Sequence, residues 1–187
     1  MSSTKNTIRM LRIAAGRMES QDGGSELVLM PKFWSRGYWE TGSFVIQTSL
    51  GKIGVGICFD THTVQIARLM IKQAIDLMLI PHSRSIPSVP TNDVGEQDIA
   101  RMKNNQRTMI PYNSRPLGTP AASVNQCAPA RAPRPEGYYF PGRATILDSE
   151  GVIRARLEEQ KGVFSSFVRL DPSCKPHRVP RADGRSI

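Results

Sequence analysis

A chain of 187 residues with 39% apolar content can bury the core of one domain, and none of its apolar runs approaches the roughly 20 residues of a membrane-spanning helix. Its formal charge of +9 lies in the ends: residues 1–18 carry Lys5, Arg9, Arg12 and Arg17 with no acid, and residues 175–187 carry four bases against Asp183, which leaves about +2 for the middle. Neither end holds an aromatic ring on which bases would stack, so neither a specific nucleic-acid partner nor a membrane is expected.

Residues 1–24 read as a basic leader, expected to be flexible. Its acid-free part, residues 1–18, with Ser and Arg, also suits an organelle transit peptide or a remnant helix. A folded domain is expected over residues 25–172 and a disordered basic tail over 173–187. Three cysteines (Cys58, Cys127, Cys174) without a CxxC pair or a signal peptide fit a reducing cytoplasm. They share no metal-ligand spacing with His62, His82 and His177, so no metal or other cofactor is expected.

Residues 44–48 predict a strand, joined by a tight turn at Ser49-Leu50-Gly51 to an apolar run over 52–57 that is lightened by Gly54 and Gly56. Such a run reads as a fully buried strand. Past Cys58-Phe59-Asp60-Thr61 the period changes: Ile66, Met70 and Ala74, with Leu69 beside them, recur at helical spacing, and Asp60 or Thr61 suits the cap. A second short strand over 77–80 ends at Pro81. This is a βαβ unit with a thiol at its first corner. A thiol near a helix N-terminus feels the positive end of the dipole, which favours the nucleophilic thiolate. The plainer reading is a buried cysteine acting as small apolar filler.

A Ser- and Pro-rich loop is expected over 82–91, then a helix over 93–112. Ile99, Met102, Gln106 and Met109 form its sheet-covering face, with Arg101, Lys103 and Arg107 outward. A strand over 121–126 follows. Residues 127–142, with Pro129, Pro133, Pro135 and Pro141, predict an extended loop. A hairpin over 143–157 turns at Ser149-Glu150-Gly151, and a last strand over 163–170 closes the sheet.

The stretches GKIGVGICFD, IARLM and DLMLIPHS resemble the nucleophile region of the nitrilase, or carbon–nitrogen hydrolase, superfamily. TPAASVNQC and FPGRATILDSEGVIRARLEEQKGVFSSFVRLDP are similar to the later strand and hairpin of the same family. The resemblance implies an α/β fold, the α-β-β-α sandwich, which associates through its helical face into homo-oligomers. It implies a small amide, nitrile or N-carbamoyl substrate. Cys58 is then the nucleophile, the Phe59 N–H the backbone donor to the developing negative charge, and His82, Ser83 and Asn125 line the pocket; the plainer readings are a surface loop at 82–91 and an Asn125 that satisfies backbone groups. A covalent intermediate splits one hard step into two, and fixed donors stabilise the charge that develops.

Two of the family's helpers have no clear counterpart. The family glutamate lies far upstream of the cysteine, whereas only fifty-seven residues precede Cys58 here, and Glu19, Glu26 and Glu40 stand in no glutamate motif. PKFWSRGYWETG, from Pro31 to Gly42, fits the family's aromatic block, but in that register the catalytic lysine falls near Leu27 or Val28. Lys32, a few residues later, is the candidate lysine, with an ordinary surface lysine as the alternative. Ser35 and Val64-Gln65 replace acidic positions.

The fold is therefore expected to be incomplete at the N-terminus, with sheet edges and apolar faces exposed, and no glutamate of this chain is expected beside Cys58. The function read from these residues is hydrolysis of non-peptide carbon–nitrogen bonds through a cysteine thioester or thioimidate. The alternative is a catalytically silent fragment that keeps the fold and its assembly surface.

Overall fold

Side-chain alternation in neighbouring strands sorts this chain into layers. The computed structural model describes residues 9–16, 27–29, 43–57, 64–130 and 136–170. Its main sheet contains β3 (Ser43–Thr48), β4 (Gly51–Gly56), β5 (Leu77–Pro81), β7 (Ala121–Val124), β10 (Ala144–Leu147) and β11 (Ile153–Leu157), in the order β11-β10-β7-β5-β4-β3. β4, β5 and β7 run parallel, while β3, β10 and β11 pair antiparallel with their neighbours. A second sheet, in the order β12-β1-β2, joins β1 (Arg9–Gly16), β2 (Leu27–Leu29) and β12 (Val163–Leu170).

One face of the main sheet presents Ile53, Val55, Leu77, Leu79, Ala122, Val124, Ala144 and Ile146, which meet Val168 and Leu170 of β12 between the sheets. The opposite face presents Met78, Ile80, Ala121 and Leu147 to Met70 of α1 (Val64–Gln73) and to Ile75 and Leu117. Full burial of each such large aliphatic side chain favours folding by about 1.5–3 kcal/mol. Gly54 lets the helix side close on the strand: a Cβ there would stand 2.7 Å from the Met70 sulfur and 2.8 Å from Ile75 Cδ1. At the edge, Phe44 and Ile46 of β3 are 47% and 44% exposed.

The α-β-β-α class of the fold is seen here as two packed sheets with α1 and Leu117 on the outer face of the larger one. The second helix, α2 (Glu96–Ser114), leads through a single 3₁₀ turn at Arg115–Leu117 into β7. No helix among the described residues is long and apolar enough to cross a membrane.

Several expectations need correction. The flexible leader over residues 1–24 contains β1, paired with β12 from Arg9↔Leu170 to Gly16↔Val163 and with β2 from Ile13↔Leu27 to Ala15↔Leu29. Its order comes from partners far along the chain, which local composition does not register. For the same reason β12 joins this second sheet instead of closing the main one.

The loops over 82–91 and 127–142 contribute a third sheet, β6-β9-β8, built from β6 (Ile86–Pro87), β8 (Cys127–Pro129) and β9 (Tyr138–Pro141). All three of its strands end in proline, where a missing N–H costs the ladder least.

On α1 the buried stripe is Met70 with Ile66, Ala67 and Ile71, and Leu69 is 39% exposed. Ala74 leaves the helix altogether with a φ of 50°. On α2, Ile99 is buried and Arg101 and Arg107 are exposed, but Lys103 turns toward Tyr139 and Glu159. The tail over 173–187 lies outside the described residues.

Candidate active site

Because β4, β5 and β7 are parallel neighbours, their carboxyl ends open on one edge of the main sheet. Ligands in open α/β sheets bind beyond the carboxyl ends of the strands. Ile57 and then Cys58 follow β4, His82-Ser83-Arg84 follow β5, and Asn125-Gln126-Cys127 follow β7. The topology thus brings the sequence-predicted residues His82, Ser83 and Asn125 to the ends of two adjacent strands, β5 and β7, while Cys58 follows the neighbouring strand β4 in sequence. Cys58 and Phe59 themselves lie outside the described residues, as do Lys32, Glu19, Glu26, Glu40 and the cap candidates Asp60 and Thr61. Ile57, the last described residue before the corner, is half-buried and packs against the core between the sheets.

The segment after β5 is held by the segment after β7. The His82 N–H donates to the Val124 carbonyl at 2.7 Å, continuing the parallel ladder past the end of β5. Two residues on, the Arg84 N–H donates to Asn125 Oδ1 at 3.1 Å, and Asn125 Nδ2 donates back to the Arg84 carbonyl at 3.0 Å. The Gln126 N–H also donates to Asn125 Oδ1, at 2.9 Å, and Gln126 Nε2 donates to Ser83 Oγ at 3.3 Å. From the third side the Gly142 N–H donates to the Gln126 carbonyl at 2.6 Å. His82 and Ser83 are buried, while Arg84 and Asn125 are half-buried.

Gln126 and the backbone of Arg84 carry as much of this arrangement as the residues read from sequence. An Asn-Gln pair just past a strand hints at such bonding, but its partner lies 41 residues away. Among the described residues no group of three His, Cys, Asp or Glu side chains could hold a metal ion.

The sequence profile of the carbon-nitrogen hydrolase family matches residues 25–171, most of the chain and all three strand ends. The chain belongs to the carbon-nitrogen hydrolase family. A probable nitrilase of Schizosaccharomyces pombe is 30% identical over 139 residues, which cover 72% of this chain and 42% of that protein. A second S. pombe protein, described as a hydrolase, is 24% identical over 69% of this chain and 34% of its own length. This carbon-nitrogen hydrolase chain therefore spans less than half the length of the curated relatives it matches.

Solved structures share the fold. A carbon-nitrogen hydrolase from Helicobacter pylori superposes with a TM-score of 0.60 at 20% identity, covering 72% of this chain and 46% of that one. A carbon-nitrogen hydrolase superfamily protein from Xanthomonas campestris, whose structure carries an arsenic adduct in the active site, superposes with a TM-score of 0.59 at 14% identity over 85% of this chain and 90% of that one.

Proposed function

We propose that this carbon-nitrogen hydrolase chain cleaves non-peptide carbon–nitrogen bonds of small amides, nitriles or N-carbamoyl compounds, with Cys58 as the nucleophile. The observation that carries the reading is that β4, the strand that Cys58 follows by two residues in sequence, ends on the same edge of the sheet as β5 and β7. For an amide, the thiolate attacks the carbonyl carbon and the Phe59 N–H donates to the oxyanion, with the Lys32 ammonium as the candidate second donor. Collapse of the tetrahedral intermediate breaks the carbon–nitrogen bond, and the nitrogen leaves as ammonia with the proton taken from the thiol. Water then hydrolyses the thioester and regenerates the thiol. No glutamate of the chain is assigned the role of base. The family likeness also supports assembly as a homo-oligomer, and a cysteine spacing without a CxxC motif supports a cytoplasmic setting.

Ammonia release from a panel of amides, nitriles and N-carbamoyl compounds tests the reading. Turnover that disappears in Cys58→Ala is the expected result. Absence of turnover across the panel, or turnover that survives Cys58→Ala, overturns it; the former outcome is the one a silent fragment gives.

A further inference from the structure

We propose that Asn125 is a positioning residue, whose carboxamide fixes the backbone of His82-Ser83-Arg84, on the sheet edge where the strand leading to Cys58 also ends, instead of contacting substrate. The inference rests on the reading of Cys58 as the nucleophile. Strand order supplies the first argument. β5 lies between β7 and β4, so the segment that leaves β5 runs between the Asn125 side and the strand that leads to Cys58.

Hydrogen bonding supplies the second. The parallel backbone ladder continues as far as His82 N–H to Val124 O. Beyond it the chain turns off into β8, and the Asn125 side-chain amide takes the place of a strand backbone by accepting from the N–H and donating to the C=O of the same residue, Arg84. With Gln126 N–H also bound to Oδ1, three of the hydrogen-bonding positions of the carboxamide are occupied by the protein's own groups. Gln126 extends the hold to Ser83 Oγ and, through its carbonyl, to Gly142. A backbone segment held this way has little freedom to drift, and misplacement of a site by about 1 Å can lower rates by roughly a hundredfold.

Asn125→Asp provides the test because it keeps shape and changes one donor. Its carboxylate still accepts from the Arg84 and Gln126 N–H groups but sets a second oxygen against the Arg84 carbonyl. Protonation restores an O–H that donates there. The ratio of variant to wild-type kcat/KM is therefore expected to fall by about tenfold or more near pH 8 and to climb back only as the pH is lowered to about 4, the ordinary range of an aspartate carboxyl. Asn125→Ala, which has no group to protonate, is expected to show a loss that does not vary with pH.

An Asn125→Asp ratio that stays flat with pH, or equals one throughout, overturns the proposal. If Asn125→Asp fails to fold, Asn125→Gln carries the same chemistry one methylene further. A folded Asn125→Gln with tenfold lower kcat/KM supports the positioning role, and wild-type kcat/KM overturns it.

Absence of turnover in the wild-type protein is the failure of the function reading, and it is recognised before any variant is compared. The positioning role is then decided by the rate at which iodoacetamide carboxymethylates Cys58, followed by peptide mass spectrometry. The same acid-side recovery in Asn125→Asp supports it, and a flat ratio overturns it.

Discussion

Lys52 and Asp76 hold each other twice at the amino ends of β4 and β5. The Asp76 N–H donates to the Lys52 carbonyl at 2.7 Å, and the Lys52 N–H donates to Asp76 Oδ2 at 2.8 Å. Lys52 Nζ also donates to the Gln73 carbonyl at 3.2 Å, placing a cation at the C-terminal end of α1, where the helix dipole favours it. One residue pair thereby closes the βαβ unit at the end opposite the candidate site.

Removing the Asp76 acceptor leaves a part-buried N–H without its partner. Asp76→Ala is expected to lower stability by about 1–3 kcal/mol in urea unfolding, whereas Asp76→Asn, which keeps a side-chain oxygen, is expected to lose less than half of that. Equal losses in the two variants would show that charge, not the acceptor, matters at this position.

Ala74 offers a stabilising change. The Ala74 N–H donates to the Ile71 carbonyl and the Ile75 N–H to the Met70 carbonyl, the bonding of a Schellman cap, while Met70 and Ile75 pack together in the core. The cap puts Ala74 in the left-handed region, at a φ of 50°, where a Cβ is unfavourable. Ala74→Gly is expected to raise stability by about 0.5–1 kcal/mol, read as an upward shift of the urea midpoint with an unchanged slope.

How much of this was legible in the sequence depends on the range of each interaction. The unit from Gly51 to Pro81 is local: an apolar run, a change of period and a second run announce its two strands and the helix between them. β1 is not local. Its eight residues pair with a strand about 150 positions away, so charge and composition present them as a leader. Proline counts concealed β8 and β9, because density alone does not show that Pro129 and Pro141 occupy strand ends. At the candidate site, chain position located His82, Ser83 and Asn125 on one edge, but the bonding of Asn125 to Arg84 depends on how β5 and β7 are aligned.

Arg143 is the hub of a polar network that ties α2 to the turn between β11 and β12. Its guanidinium lies 2.5 Å from Glu159 and 3.7 Å from Glu158, and it donates to the Lys103 carbonyl. Glu158 is shared with Arg107 and Arg156. The Arg143 side chain is 11% exposed and that of Glu159 35%, so the pair is only partly screened by solvent. Arg143→Ala is expected to cost about 1–3 kcal/mol, with Arg143→Lys recovering only part, since an ammonium lacks the planar fork. A double-mutant cycle with Glu159→Ala is expected to give a coupling of about 1 kcal/mol that shrinks in high salt; no coupling would assign the loss to packing and to the Lys103 bond.

At β1, order and a loose leader have opposite consequences. Ala14 is the middle residue of the pairing with β2, opposite Val28, and also lies opposite Ser165 of β12, so its backbone is flanked on both sides. Proline there removes a ladder donor and forces its ring between paired strands, which sheets tolerate only at edges and bulges. The unpartnered acceptor alone costs about 1–3 kcal/mol, and loosening of β1 uncovers Val168 and Leu170, which are buried between the sheets. Ala14→Pro is therefore expected to lower the urea midpoint by more than Asp76→Ala and to speed amide exchange along β12. In a flexible leader the same substitution would leave both measurements unchanged.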